Sequence, residues 1–187
     1  VLETQEAAYA DTVYNFRWLG EREMTELFPN PSKFGIFFTS FAAQGSKYVP
    51  YLRREVIEKA AASGAKLTFE TKKIERLEEL GATHDVVVNC AGLAGGKLAG
   101  DDDTMYPIRG VAIQVAAPWM KQFYYKNFDT FTIPMNDCIV LGSVKQKGEA
   151  GMEITDEDRD DIWKRYLEIQ PALKGAKVVR EWIALRP

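Results

Sequence analysis

The sequence predicts an α/β protein with a doubly wound first half and a mainly antiparallel second half. Residues 85–90 (DVVVNC) centre on three consecutive valines, a pattern typical of a strand buried on both faces of a parallel sheet. The glycine-rich turn 91–96 follows at once, and glycine at the carboxyl end of such a strand lets a helix or a ligand approach the backbone. After residue 100, strand-like segments follow one another without long helices, which indicates antiparallel pairing.

Apolar spacing, glycine and proline define the elements of the first hundred residues. Apolar residues recur at near-helical spacing before Gly20, so a helix is predicted there. Pro50 suits the first turn of a second helix, and Gly64 can end it in the left-handed conformation. The predicted elements are, in order, a helix over 3–20, a strand over 34–41, the helix around Pro50, a strand over 65–70 with an extension over 72–74, a surface turn or short helix over 75–80, the strand 85–90 and a short helix after the glycines.

The second half contains one helix with a clear start. Thr155 is a good N-cap residue, three carboxylates follow it where the helix dipole favours negative charge, and Pro171 stops the helix. The predicted elements here are an acidic loop at 101–103, strands over 105–115, 130–134 and 138–144, a short helical segment over 118–121, the helix over 155–170 and a strand over 177–185.

Composition argues against several functional classes. The chain has 24 Lys and Arg against 27 Asp and Glu and no basic block, so neither nucleic acid nor a membrane surface is an expected partner. No apolar run approaches the roughly 20 residues of a membrane span. Cys90 and Cys138 are far apart, so a disulfide is not expected and a reducing compartment fits. The first residues do not resemble a signal peptide, and we expect the chain to be truncated at both ends.

The residues alone leave the chemistry open. The turn Gly92-Leu93-Ala94-Gly95-Gly96 lacks the G-x-G-x-x-G spacing that holds a pyrophosphate, so it is either a structural crossover or a cofactor contact. The three carboxylates at 101–103 are adjacent rather than spaced around a cation, and His84 is the only histidine, so no metal site is predicted. No catalytic acid, base or nucleophile stands out.

Several segments nevertheless stand in the order and approximate spacing of one known family. They are VNCAGL at 88–93, MYPIRG at 105–110, APW at 117–119, LGS with QKG at 141–148, LRP at 185–187, and FTSF with GSKY at 38–48. Over nearly its whole length the sequence resembles the D-amino-acid oxidase family, and within it the branch that acts on acidic D-amino acids such as D-aspartate.

The resemblance implies a two-domain flavoprotein. Residues 1–100 would be an incomplete doubly wound FAD-binding domain, without the family's first strand and glycine loop. Residues 101–187 would be an antiparallel-sheet substrate domain whose last residues return toward the flavin. Such enzymes oxidise a D-amino acid with FAD and oxygen to a 2-oxo acid, ammonia and hydrogen peroxide. Because the hydride passes to the flavin, the protein mainly orients and desolvates the substrate, and no catalytic acid–base residue is assigned.

The resemblance also implies substrate-binding residues. Arg186 matches the arginine that binds the substrate α-carboxylate, a task suited to the planar guanidinium; without the family it would be interpreted as a surface residue. Lys145 matches a cation that faces the side-chain carboxylate, although a solvated strand lysine is an alternative. Phe131 stands where the family has a tyrosine that binds the carboxylate, and loss of that hydrogen bond would cost about 1.5–3 kcal/mol of binding.

Cofactor contacts are implied at Ile74, Ala91 and Gly92, where the family backbone passes the adenine end of FAD. Core packing is the alternative for Ile74. Two other functions stay open: a non-catalytic relative that binds a ligand or partner, and another flavin amine oxidase such as a glycine oxidase. A peroxisomal or cytoplasmic location is expected, and the oligomeric state is left open, with a homodimer as one alternative.

Overall fold

The computed structural model describes residue 8, residues 10–127 and residues 129–187. These residues form two compact, interleaved units. The first, which we call the sheet unit, contains the described residues up to Ala42 together with Gly110–Lys145 and Met152–Ile183. The second, which we call the helical unit, contains Ala43–Arg109, Gln146–Gly151 and Ala184–Pro187.

The sheet unit begins with a small antiparallel ribbon. Strand β1 (Tyr14–Trp18) pairs with β2 (Ile36–Thr39), and helix α1 (Glu21–Leu27) lies between them in the chain. Arg17 of β1 forms a two-point salt bridge of 2.6 Å with Glu23 of α1. Because β2 covers Ile36–Thr39, the strand predicted over 34–41 is confirmed in its central part.

The helix predicted over 3–20 is wrong where the structure describes it as a strand. Tyr14, Phe16 and Trp18 alternate along β1, and aromatic residues with a period of two favour a strand once a partner is present. The partner is β2, some twenty residues later, which the local spacing of apolar residues could not reveal. Residues 1–7 and residue 9 of that predicted helix lie outside the described residues.

A second, larger sheet has six strands. Its strands are β3 (Ile108–Val115), β4 (Tyr124–Lys126), β5 (Thr130–Pro134), β6 (Ile139–Gly142), β7 (Gln146–Lys147) and β8 (Val178–Arg186). They follow the order β4-β5-β6-β3-β7, and β8 also pairs with β3. The pairs of β3 with β6 and β7, and of β5 with β4 and β6, are antiparallel. This confirms the predicted character of the second half, although β4 and β7 were not predicted.

Helix α5 (Asp156–Ile169) packs against this sheet and closes the core. Its start is a capping box, because Thr155 accepts from the Asp158 N–H while the Asp158 carboxylate accepts from the Thr155 N–H. The helix predicted over 155–170 is thus confirmed. The fully buried residues of this core are Val111, Ile113, Val115, Ala117, Ile139, Leu141, Ile162, Tyr166 and Leu173. The short helix predicted over 118–121 is wrong: the chain makes a single turn there, which the Met120 N–H closes on the Ala117 carbonyl.

The helical unit is built around α2 (Gly45–Ser63), with the short helices α3 (Glu78–Gly81) and α4 (Gly95–Ala99). Gly64 ends α2 with φ of 71°, and its N–H bonds to the carbonyls of Ala60 and Ala61, as predicted. The short-helix alternative for 75–80 is confirmed by α3. The mixed helix-and-sheet class of the protein is confirmed as well.

Two predicted strands of this unit have no regular structure: 65–70, with its extension over 72–74, and 85–90. Val86 and Val88 are 76% and 78% exposed, so residues 85–90 are not the buried strand that was predicted. A β-prone run becomes a strand only when a neighbour supplies the ladder of hydrogen bonds. No such neighbour is found within the part of the chain that the structure describes. Among the same residues, none of the helices has the length and apolarity to cross a membrane.

Candidate substrate and cofactor site

The glycine-rich turn is a 3-10 helix (Gly92–Ala94) that continues into α4. The Asn89 side chain stabilises it, since its amide donates to the Gly95 carbonyl at 3.0 Å and its oxygen accepts from the Ala91 N–H at 3.2 Å. Gly92 has φ of +56°, which disfavours other residues, and the space where a Cβ would stand is open. Gly96 is required for another reason: a Cβ there would lie 2.3 Å from the Asp102 carbonyl oxygen.

The three predicted cofactor residues lie in the same unit. Ala91 and Gly92 are exposed and Ile74 is half-buried. Ile74 belongs to an irregular connector, and three residues later the Leu77 N–H bonds to the Leu98 carbonyl of α4 at 3.1 Å. The open backbone at Gly92 and the apolar side chain of Ile74 fit contact with the flat, neutral adenine end of FAD. They carry no cation that could hold its pyrophosphate.

Arg186 is the last residue of β8 and belongs to the helical unit. One of its terminal nitrogens, Nη2, is buried and lacks a hydrogen-bond partner among the described residues. A buried donor left unsatisfied costs about 1–3 kcal/mol, and more when it is charged. A carboxylate is the partner that best satisfies a guanidinium, because two parallel N–H groups can donate to its two oxygens. The environment of Arg186 thus suits an incoming carboxylate.

Phe131 and Lys145 belong to the sheet unit. Phe131 lies opposite Gly142 in the β5–β6 pair, and a Cβ on Gly142 would come within 2.6 Å of its ring. The ring also packs against Phe123 and Tyr125, each with a centroid distance of 6.4 Å. Phe131 is therefore one member of an aromatic cluster that needs glycine at 142. Lys145 lies just before β7, and its side chain is exposed. This exposure fits both alternatives for Lys145, a substrate contact and a solvated strand lysine.

Sequence reasoning missed two residues that support this part of the sheet. The Tyr166 hydroxyl, on α5, has one proton, which is shared between the carbonyls of Phe131 and Gly142, and its oxygen accepts from the Gly142 N–H at 2.8 Å. Burial raises the pKa of Tyr166 well above its ordinary value. In the sequence it is only one apolar-face residue of a helix, so nothing there marks the hydroxyl as a bridge between β5 and β6.

Arg165, the residue before Tyr166, supports the same strand ends. Its guanidinium donates to the Asp129 carbonyl at 3.2 Å, to Thr130 Oγ1 at 2.9 Å and to the Ser143 carbonyl at 3.3 Å. It also bonds to the Asp161 carboxylate at 2.7 Å, one turn earlier on α5. Together, Arg165 and Tyr166 fix the backbone on both sides of Phe131 and the backbone that leads to Lys145.

Two further polar residues singled out in the sequence, Asp102 and His84, have local partners. The Asp102 carboxylate accepts from the N–H and hydroxyl of Thr104 at 2.8 and 2.6 Å, and these bonds lower the pKa of Asp102. His84 Nδ1 lies 2.8 Å from Thr83 Oγ1 and 3.2 Å from the Leu80 carbonyl. Within the described ranges no group of three or more His, Cys, Asp and Glu side chains is arranged to hold a metal ion.

Comparison with known proteins agrees with the resemblance of the motifs. D-aspartate oxidase 2 of Caenorhabditis briggsae is 52% identical over 187 residues, covering 100% of this chain and 55% of that protein. D-aspartate oxidase of Homo sapiens is 35% identical over 180 residues, covering 96% of this chain and 50% of that protein. The chain thus spans about half the length of the curated relatives it matches.

A solved structure supports the fold. The structure of glycine oxidase from Geobacillus kaustophilus superposes with a TM-score of 0.74 at 18% identity, covering 100% of this chain and 55% of that one. The family model described as DAO, FAD dependent oxidoreductase, matches residues 2–187. The predicted family is therefore confirmed: the chain belongs to the DAO family of FAD dependent oxidoreductases.

Proposed function

We propose that this chain supplies the substrate-binding part, and the adenine-end contacts, of an FAD-dependent oxidase of acidic D-amino acids. The products would be a 2-oxo acid, ammonia and hydrogen peroxide, with oxygen as the second substrate. Relatives named D-aspartate oxidase at 51–52% identity support the substrate class. The structural observation that carries the proposal is the buried, unpartnered Nη2 of Arg186, because a substrate carboxylate would satisfy it.

The chain's residues would bind and orient the substrate. Bound FAD would supply the two-electron acceptor that no side chain of this protein can provide. Arg186 would hold the α-carboxylate with two parallel hydrogen bonds, and Lys145 would attract the side-chain carboxylate. Phe131 offers no hydroxyl, so its ring would exclude water beside the substrate rather than donate to it. Ile74, Ala91 and Gly92 would contact the adenine end of the cofactor through backbone and apolar atoms.

The assay for this proposal is hydrogen peroxide release, with FAD supplied, by a chimera in which these 187 residues replace the matching 187 residues of D-aspartate oxidase 2 of Caenorhabditis briggsae. We expect turnover of D-aspartate, weaker turnover of D-alanine and none of L-aspartate. Arg186→Lys should raise KM for both D-amino acids at least tenfold, since lysine cannot donate two parallel bonds. Lys145→Met should raise KM for D-aspartate only, and Lys121→Met, at an exposed site, is the matched control. Saturable FAD binding without D-amino-acid oxidation would contradict the oxidase proposal.

A second candidate function is ligand binding without catalysis. It is favoured by Phe131, which lacks the hydroxyl found in the family. Calorimetric titration distinguishes the two functions: binding of D-aspartate with no peroxide supports the second, and turnover excludes it. The glycine oxidase alternative has only the likeness of fold in its favour, and glycine turnover exceeding that of D-aspartate would support it.

We also propose a compartment, a domain division and an oligomeric state. Cys90 and Cys138 are both free thiols, which agrees with a reducing compartment such as the peroxisome or the cytoplasm. The division into a cofactor part at 1–100 and a substrate part at 101–187 is retained on the strength of the motifs. A homodimer is likewise a proposal, and sedimentation of the purified chain would test it.

A further inference from the structure

The sheet unit contains a cavity of about 310 Å³ between the β1–β2 ribbon region and the edge strand β4. Neither Phe131 nor Lys145 of the sheet unit lines it. Met24 and Ile169, both nearly fully buried, also line the cavity. Gly35 borders it as well, and a Cβ there would lie 2.4 Å from the Met24 sulfur. The cavity wall is therefore tightly packed where Gly35 meets Met24.

Six of the fourteen residues that line the cavity are aromatic. The rings are those of Trp18, Phe28, Phe34, Phe123, Tyr124 and Tyr125. Phe28 and Tyr124 meet edge to face at 5.3 Å, which joins the loop after α1 to β4. Phe34, Phe123 and Tyr125 are each more than half exposed. Exposed apolar groups gathered around one concavity mark a binding site, and flat walls select a flat apolar ligand.

The size of the cavity limits the ligand. Small-molecule sites have volumes of about 300–1,000 Å³, and this cavity is at the lower end of that range. It therefore suits a molecule with one or two fused rings. A dinucleotide such as FAD would not fit within it.

The charge in the cavity lining defines the polar group of the ligand. Lys126 is the one charged residue among the described residues that line it, and no carboxylate does. Its Nζ donates to the carbonyl of Asn30, another lining residue, at 3.0 Å, so the ammonium is held at the cavity wall. An ammonium has three donors, and two stay available for an anionic ligand in addition to this bond. Ser32 and Asn30 add neutral polar groups to the same wall.

We propose that this cavity binds a small aromatic carboxylate, with the ring between the aromatic walls and the carboxylate on Lys126. The site goes beyond the proposed oxidase function, because none of the residues proposed to bind FAD or the substrate lines the cavity. The ring supplies affinity through burial of apolar surface, and the lysine supplies selectivity for an anion over a neutral or cationic analogue.

The test is calorimetric titration of the purified 187-residue chain, without FAD, with three probes that share one ring. Indole-3-acetate should bind saturably, neutral indole about tenfold more weakly, and cationic tryptamine more weakly still. Added salt should weaken binding of the acid but not of indole, since Lys126 is partly solvated. Absence of saturable binding by indole-3-acetate, or equal binding of tryptamine, would overturn the proposal.

Variants then locate the ligand. Lys126→Met should reduce the affinity for indole-3-acetate about tenfold and leave that for indole unchanged, whereas Lys121→Met should change neither. Phe34→Ala, at an exposed wall position, should weaken both, and near-ultraviolet circular dichroism verifies that each variant is folded. Binding that Arg186→Met abolishes and Lys126→Met spares would place the acid in the proposed substrate site and overturn this assignment.

Discussion

Tyr166→Phe should destabilise the sheet unit by removing a single oxygen atom. The Tyr166 side chain is fully buried and Gly142 is buried with it. Phenylalanine fills the same space, so no cavity is created. The change removes the acceptor used by the Gly142 N–H and the donor used by the carbonyls of Phe131 and Gly142. Leaving buried polar groups without that partner costs about 1–3 kcal/mol.

Thermal and urea unfolding followed by circular dichroism would measure this loss. For a chain of this size, about 1–3 kcal/mol corresponds to a fall in Tm of roughly 2–12 °C. Tyr14→Phe is the matched control, since it removes the same atom from a side chain that is 64% exposed in the same unit, and it should change stability by less than about 0.5 kcal/mol. If both variants unfolded together with the native chain, the bridge between β5 and β6 would contribute nothing to stability and the reasoning would fail.

Three further predictions follow from the same region and its helix. Above about pH 10 the difference in unfolding free energy between the native chain and Tyr166→Phe should shrink by up to about 1.4 kcal/mol per pH unit. The reason is that the pKa of Tyr166 is raised in the folded state, so the unfolded state loses the proton first as the pH rises. A difference in urea midpoint that does not change with pH would refute this. Gly142→Ala should lower the free energy of unfolding by about 1–3 kcal/mol, because the new Cβ clashes with the Phe131 ring. In a double-mutant cycle, the same substitution made in a Phe131→Ala background should cost much less. Thr155→Ala should cost about 0.5–2 kcal/mol by removing the N-cap bond to Asp158, whereas Thr155→Ser should retain most of the native stability in the same urea assay.

The second half of the fold was predictable because its signals are local. Thr155 and Pro171 bracket helix α5 with a cap and a stop. From Val111 to Val115, buried residues of β3 alternate with half-buried ones, so the period of two indicates both the strand and its inner face. Sequence reasoning placed these elements to within a few residues without any knowledge of their partners.

The incorrect predictions concern segments whose secondary structure depends on pairing with a strand that is distant in sequence. Residues 14–18 have apolar residues that fit a helix face, yet pairing with Ile36–Thr39 makes them a strand. Residues 85–90 have strong β propensity, but no described strand pairs with them, and Val86 and Val88 are exposed to solvent. In both cases the decisive hydrogen bonds join residues that are not close in sequence.

The candidate site was predictable only in part, for the same reason. The motif at the end of β8 pointed to Arg186, but burial of its Nη2 is a property of the folded unit. Arg165 and Tyr166 have no motif, and their hydrogen bonds to the strand ends become visible only when α5 is packed on the sheet.

The interleaving of the two units has a consequence for synthesis of the protein. Each unit is assembled from three separate stretches of chain, and the final stretches are Met152–Ile183 in one and Ala184–Pro187 in the other. Strand β8 contributes to both. Neither unit can fold completely while β8 is still inside the ribosome. Until then, the earlier stretches of both units lack the contacts that β8 supplies. Chaperone occupancy of nascent chains should therefore persist until this strand emerges.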